Sequence, residues 1–323
     1  MTQNLLYNKE KPLLVISVVI SVAFWLAIIV GTRGVALFYG IIFFFSYLFA
    51  HSALIFYLKG TAVKVSHKQF PDIYEQLTNC CKKLNITVIP ETYILHADGA
   101  FNAFATRFLG HNFVVLFSDV VDALNDNKNS LNFYIGHELG HIHRKHLLWA
   151  PILFPALILP LIGAAYSRAR EYTCDNYGFA CCSRPQDAIL GLSALSAGAK
   201  RWKSLDVSSY IAQTQITGGF WMSFNELIAD YPWLVKRISR LVAMSKDETA
   251  VMPIRNALAW TLALFVPRLG IGASAGSIIV IVAVIGILAA IAMPQFAAYQ
   301  QRAQQNTSPS VDQYLEPGSE FNK

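Results

Sequence analysis

Residues 129–141 read Asn129-Ser-Leu-Asn-Phe-Tyr-Ile-Gly-His137-Glu138-Leu139-Gly140-His141. Asn129-Ser130 offers a helix start, and Leu131, Phe133, Tyr134 and Ile135 supply apolar positions ahead of the histidines, so the pattern predicts a helix. Residues four apart on a helix lie about 40° apart around its axis, so both imidazoles point the same way, one turn apart. That suits two nitrogen ligands on one zinc ion. Glu138 sits beside the first ligand, placed to take a proton from the attacking water. The competing reading is a chance HExxH on an amphipathic helix with two surface histidines.

A third protein ligand is then needed, and Ser167-Arg-Ala-Arg-Glu171-Tyr-Thr-Cys-Asp175 offers one in Glu171. Asp175, one turn later on the same face, is placed to orient a zinc-bound imidazole from behind. Taken alone, this stretch also reads as an ordinary solvated helix face. His143 is about 200° round the helix from His141 and His146 is five residues on, so neither shares the zinc face. Both are expected at the surface beside Arg144 and Lys145. Cys174 reads as a small buried thiol rather than a ligand.

The composition places this chemistry at a membrane. Of 323 residues, 54% are hydrophobic and 14% charged, against about 25% charged in a soluble domain. That excludes a disordered chain and argues against a purely soluble enzyme. The net charge of +6 is not gathered into basic patches interleaved with aromatics, so no nucleic acid is expected as partner. Residues 13–32 and 34–58 carry no Asp, Glu, Lys or Arg, and about 20 such residues suffice to cross a bilayer. Joined at Arg33, they predict an N-terminal helical hairpin. Lys9 and Lys11 before it and Lys59, Lys64, Lys68, Lys82 and Lys83 after it put both flanks in the cytoplasm. Five cysteines without a CxxC agree with reduced thiols in that compartment. Residues 271–293 form a further uncharged run.

Together, HELGH and the downstream SRAREYTCD resemble the HtpX-like membrane peptidases and CAAX prenyl endopeptidases, gluzincins whose HExxH and later ExxxD build the zinc site. The resemblance implies one Zn2+ per chain, held by His137, His141 and Glu171, with Asp175 behind them and Glu138 as general base. Asn102-Ala103-Phe104-Ala105-Thr106 is similar to the family's NAFAT segment, a cleft-lining strand able to pair with an extended peptide. Read alone, it is also an ordinary hairpin strand, with Phe101, Ala103 and Ala105 alternating. Tyr231-Pro232 followed by Arg237-Ile-Ser-Arg-Leu241 resembles an HP…RI..L segment, with tyrosine in place of the histidine. Tyr231, or alternatively Arg237, would then donate to the developing oxyanion.

Residues 147–166 look like another span but contain Pro151, Pro155 and Pro160. One crossing would deliver Glu171 to the wrong side of the membrane, and two need about 40 apolar residues. The expectation is a non-spanning hairpin that turns near Pro151 to Pro155.

Residues 283–304 resemble the N-terminal helix of type IV pilins. Gly272 takes the cleavage position and Ser277 replaces the glutamate that pilins use in assembly. Pilin-like membrane helices therefore join protein or peptide substrates and the lipid bilayer as expected partners.

The fold expected is α+β, a helix-rich gluzincin domain with a small antiparallel sheet at about residues 92–117, plus transmembrane helices. The expected order is a membrane hairpin (1–59), a metallopeptidase domain (60–250), an apolar linker (251–270), a pilin-like transmembrane helix (271–296) and a polar tail (297–323). The function expected is a membrane-bound zinc endopeptidase acting on membrane or misfolded proteins. It would be multi-pass in a bacterial inner membrane, with its cleft on the cytoplasmic side. The alternative is a catalytically silent scaffold or processing factor of a type IV pilus or secretion system.

Overall fold

The computed structural model describes residues 5–96, 102–266, 294 and 296–303. Residues 1–273 form one compact unit. In the second, residues 296–303 are helical, and the rest of the pilin-like segment and the polar tail lie outside the described residues.

Two apolar helices lead: α1 (Glu10–Gly31) and α2 (Val35–Thr61), long enough at about 1.5 Å per residue to cross a bilayer. Arg33 and Gly34 turn the chain between them with φ of 51° and 86°, a left-handed pair that the glycine makes cheap. Then come β1 (Val63–Lys64), α3 (Pro71–Lys83), β2 (Glu91–Leu95), β3 (Ala103–Phe108), β4 (His111–Phe117) and α4 (Ser118–Ala123). The long central helices follow: α5 (Lys128–His143), α6 (His146–Leu157), α7 (Ile162–Cys181) and α8 (Pro185–Arg201). The unit continues with α9 (Val207–Ala212), α10 (Phe220–Ile228), α11 (Leu234–Met244) and α12 (Ala257–Ala263).

The helix-rich α+β class holds, but the sheet is mixed. Its order is β1-β2-β4-β3, and β2 pairs with β4 in parallel. β3 and β4 are a tight antiparallel hairpin, so β2, joining the other side of β4, runs the same way as β4. β3 is thereby left as an edge. Strand alternation feeds two cores from β4. Val114 and Leu116 face the main core with α3, α5, α8 and α11, while Phe113 and Val115 meet Ile55 and Leu58 at the end of α2.

The main core is built on α5 against α7. A Cβ on Gly178 would lie 2.7 Å from the Phe133 carbonyl oxygen, and one on Gly136 would lie 2.8 Å from that of Tyr177. The two backbones therefore approach as closely as hydrogen in place of a side chain permits.

Contrary to the expectation, the hairpin between them does not turn near Pro151 to Pro155. α6 runs through both prolines, and the chain reverses at 158–161, where Leu161 has φ 62°. The reason lies in α1. A proline leaves helix backbone groups without partners, and α1 supplies replacements. The Ala156 N–H donates to Ser21 Oγ (3.3 Å), and the Ile152 carbonyl accepts from Trp25 Nε1 (2.9 Å). His146 meets Glu10 and Ala156 meets Ser21, so α6 runs parallel to α1. Twelve residues reach about 18 Å, short of the roughly 30 Å hydrocarbon core.

At the hairpin tip, Leu161 packs against the cluster of Leu227 on α10 with Ala259 and Ala263 on α12. A buried ion cluster ties these helices down. Glu226 accepts from Lys236 Nζ (2.6 Å) and Arg255 Nε (3.0 Å), and Arg168 donates to the carbonyls of Glu226 and Ala229. Burial alone would raise the Glu226 carboxyl, but Arg255 and Lys236 hold it below its usual range.

Two outcomes follow from this packing. Gly178→Ala should cost about 1–3 kcal/mol, because the added methyl meets backbone rather than a movable side chain; denaturant titration measures it. Glu226→Gln should cost about 3–5 kcal/mol at pH 7 by leaving Lys236 buried without its partner. Since the folded pKa is depressed, that stabilisation is present above the unfolded value near 4.5 and is lost as pH falls through the folded one. Thermal midpoints from pH 3 to 7 should fall with acid less steeply in the variant.

Candidate metal centre

α5 is buried on all sides from Ser130 to Gly140, which fixes its rotation and aims both histidines across the α7 contact. His137 Nε2 lies 3.4 Å from one Glu171 oxygen and His141 Nε2 lies 3.5 Å from the other. Two imidazole nitrogens and a carboxylate thus converge on one point. Behind His137, Nδ1 stands 3.1 Å from Asp175 Oδ1, and Arg237 grips the same carboxylate with Nη2 (2.6 Å) and Nε (2.9 Å). Behind His141, Nδ1 stands 3.1 Å from His146 Nδ1.

The charges agree with a cation pocket. Burial pulls the His137 imidazole down, but hydrogen bonds to Asp175 and Glu171 outweigh it and lift it to about 9. Burial would raise Glu171, yet its contacts with His137 and His141 hold it well below the usual carboxylate range. Asp175 is likewise held low against burial by Arg237 and His137. Glu138 goes the other way: burial raises it, only partly offset by the two histidines and the Ala105 backbone. A carboxyl that holds a proton more readily than usual is suited to general acid–base work.

These residues fit zinc. With each Nδ1 engaged behind, each Nε2 is left to offer its lone pair, as in histidine metal sites, and two nitrogens plus one carboxylate are a common catalytic set. His137, His141 and Cys174 also cluster closely enough to hold a metal ion. The thiol also contacts His146 Nδ1 at 3.8 Å. Burial, then the charges of Glu171 and Glu138, raise its pKa well above the usual thiol value.

The centre opens into a cavity of about 250 Å³. Asn102, Ala103, Phe104 and Tyr231 line it together with Glu138 and the three converging residues. β3, an edge strand of the sheet, forms one wall. Tyr231 is exposed at the cleft, and the Glu171 charge, then burial, raises its phenol. Arg237, by contrast, is buried with Asp175 and lies 3.9 Å from Glu171.

Of the two histidines expected at the surface, His143 is exposed there and His146 is not. His143 Nδ1 pairs with the Tyr177 hydroxyl at 2.8 Å. His146 is 2% exposed and lies between His141 and Glu10. The helical-wheel argument fails because Lys145, at φ 58°, ends α5 and restarts the chain as α6. Burial pulls the His146 imidazole down to about 4, partly countered by Glu10. Glu10 also had a sequence signal that went unread: it is the only acidic residue before Asp72.

The site is of the kind a metallopeptidase uses, and the comparisons point the same way. Residues 67–159, ending before Glu171, match the model of Peptidase family M48. Similar chains include a "Protease HtpX homolog" of Burkholderia ambifaria, 24% identical over 67% of this chain and 89% of that one. Another of the same name, from Streptococcus mutans, is 23% identical over 67% and 88%. The "Plastoglobule-localized metallopeptidase 48, chloroplastic" of Arabidopsis thaliana is 26% identical over 48% and 49%. No solved structure matches the chain. Residues 67–159 thus resemble an M48 peptidase domain, and the chain is similar over two thirds of its length to proteins named Protease HtpX homolog.

Removing the support behind His137 should loosen zinc without emptying the site. Asp175→Asn is expected to weaken zinc binding about 10–100-fold, read by competition with a chromogenic chelator.

Proposed function

We propose that the chain is a membrane-bound zinc endopeptidase hydrolysing peptide bonds of membrane or misfolded proteins, with Glu138 as general base. The observation that carries the reading is the convergence of His137 Nε2 and His141 Nε2 on the Glu171 carboxylate, beside Glu138 and under a free strand edge.

An extended substrate pairs by its main chain with Asn102, Ala103 and Phe104 along β3, which sets the scissile bond over the centre. His137, His141 and Glu171 would hold the zinc ion, which would supply the Lewis acidity that polarises the peptide carbonyl. Glu138 takes the proton of the attacking water and returns it to the leaving amine. Its raised affinity for a proton helps it hold that proton between the two transfers. Tyr231 donates to the developing oxyanion from the mouth of the cleft. Arg237, with two of its nitrogens on Asp175, steadies Asp175 and Glu171 and through them the metal-binding histidines.

α1 and α2 cross a bacterial inner membrane with their lysine-flanked ends in the cytoplasm, where the cleft opens. The α6–α7 hairpin is too short to cross and enters only the cytoplasmic leaflet. Leu148, Ile152 and Phe154, exposed on α6, then meet lipid. Substrates accordingly lie close to the membrane, and pilin-type helices are among the candidates, from the resemblance of residues 283–304.

Purified wild type beside Glu138→Gln tests this. Both should hold one zinc per chain, and the variant should lose at least about 100-fold in casein cleavage. Full activity in the variant overturns the role of Glu138; a wild type free of zinc overturns the centre.

A further inference from the structure

We propose that Glu10 and His146 are a positioning pair for the metal ligand His141, which makes the head of the first membrane helix part of the metal centre. The inference rests on the zinc reading above and extends it to residues outside the HExxH and ExxxD stretches.

Proton placement supports it. His141 Nε2 faces Glu171 (3.5 Å), so a metal there requires its lone pair and leaves the ring proton on Nδ1. Among the described residues, that nitrogen's hydrogen-bond partner is His146 Nδ1, 3.1 Å away, which must then accept. His146 in turn carries its proton on Nε2, 3.2 Å from Glu10 Oε1. One arrangement satisfies the whole chain: Nε2 of His141 free for the metal, Nδ1–H of His141 donating to His146, and Nε2–H of His146 donating to the Glu10 carboxylate. Shifting any proton along it either blocks the metal-binding nitrogen or sets two N–H groups against each other. The arrangement is a carboxylate–histidine–metal triad lengthened by one imidazole.

Burial and register support it as well. Glu10 is 1% exposed and His146 2%, and a carboxylate is costly in such a place unless it is hydrogen-bonded. His146 reaches His141 only because Lys145 breaks the helix; five residues along a continuous α-helix would turn it about 140° away. The α1 head is registered against the helix that carries Glu171 and Asp175. The Tyr7 N–H donates to Thr173 Oγ1 (3.0 Å), and Asn176 Nδ2 donates to the Leu5 carbonyl (2.8 Å). Each metal-binding histidine thus has its own support: Asp175 with Arg237 for His137, and His146 with Glu10 for His141.

Arg144 also pairs with Glu10 (3.2 Å), so Glu10 could instead serve only to fasten the anchor to the domain. The experiment separates the two. Full-length protein in detergent is compared as wild type, Glu10→Gln, Glu10→Ala, His146→Phe, Glu10→Ala with His146→Phe, and Arg144→Gln. Zinc affinity is read by chelator competition, and the visible d–d spectrum of the cobalt-substituted protein reports geometry at the ligands. Far-UV dichroism and the apo-protein melting point report folding.

The positioning role predicts zinc binding weakened about 10–100-fold in Glu10→Ala and His146→Phe, and by less in Glu10→Gln, which keeps an acceptor oxygen. The double variant should be no worse than His146→Phe alone, since both act through one hydrogen bond. The cobalt spectrum should shift in all of these but not in Arg144→Gln. Wild-type affinity and spectra in folded Glu10→Gln and His146→Phe overturn the proposal while leaving the zinc centre intact. A lowered melting point with an unchanged cobalt spectrum also overturns it, in favour of fastening. A wild type that takes up no metal overturns both readings.

Discussion

The contact between α5 and α7 sets the terms for everything near the centre. Gly136, Gly140 and Gly178 let the two helices approach until a methyl group on Gly136 or Gly178 would strike backbone. At that separation a side chain on one helix meets those on the other without a long reach or a bent backbone. His137 and His141 come from α5, and Glu171 and Asp175 from α7. Their mutual distances are inherited from helix pitch on each side and from the glycine contact between. Larger residues at these positions would move the carboxylate away from both imidazoles together.

Around that pair, the remaining elements act as supports on different sides. α11 brings Arg237 to Asp175, behind His137. β3 forms a wall of the cleft beside Glu138 and, among the described residues, has no strand on its outer side, which is the property an extended peptide needs. Arg168, one turn before Glu171 on α7, holds the carbonyls at the end of α10. A single helix therefore positions ligand, outer carboxylate and the segment leading to Tyr231.

The apolar N-terminal helices are integrated with this framework. α2 ends against the outer face of the sheet through Ile55 and Leu58. α1 lies along α6, where its Ser21 and Trp25 take up backbone groups beside the prolines. In an apolar environment each such group needs a partner, so the hairpin and α1 depend on one another. Anchor and domain share one set of hydrogen bonds.

What the sequence determined is what depends on local spacing. The i, i+4 histidines, Glu138 between them, and Glu171 followed by Asp175 lie on regular helices, where periodicity alone aims side chains. The length and lack of charge of residues 13–32 and 34–58 gave the apolar hairpin. Three facts needed the tertiary structure. The parallel pairing of β2 with β4 depends on which edge the β3–β4 hairpin presents. The turn at 158–161 depends on α1 capturing Ala156 and Ile152, so prolines that would stop an isolated helix do not stop this one. His146 lies behind His141 because Lys145 takes a left-handed conformation and because Glu10, 136 positions away, meets it there. A helical wheel carries no information about a break in its own helix or a partner from a distant segment, and those two features decide the outer side of the centre.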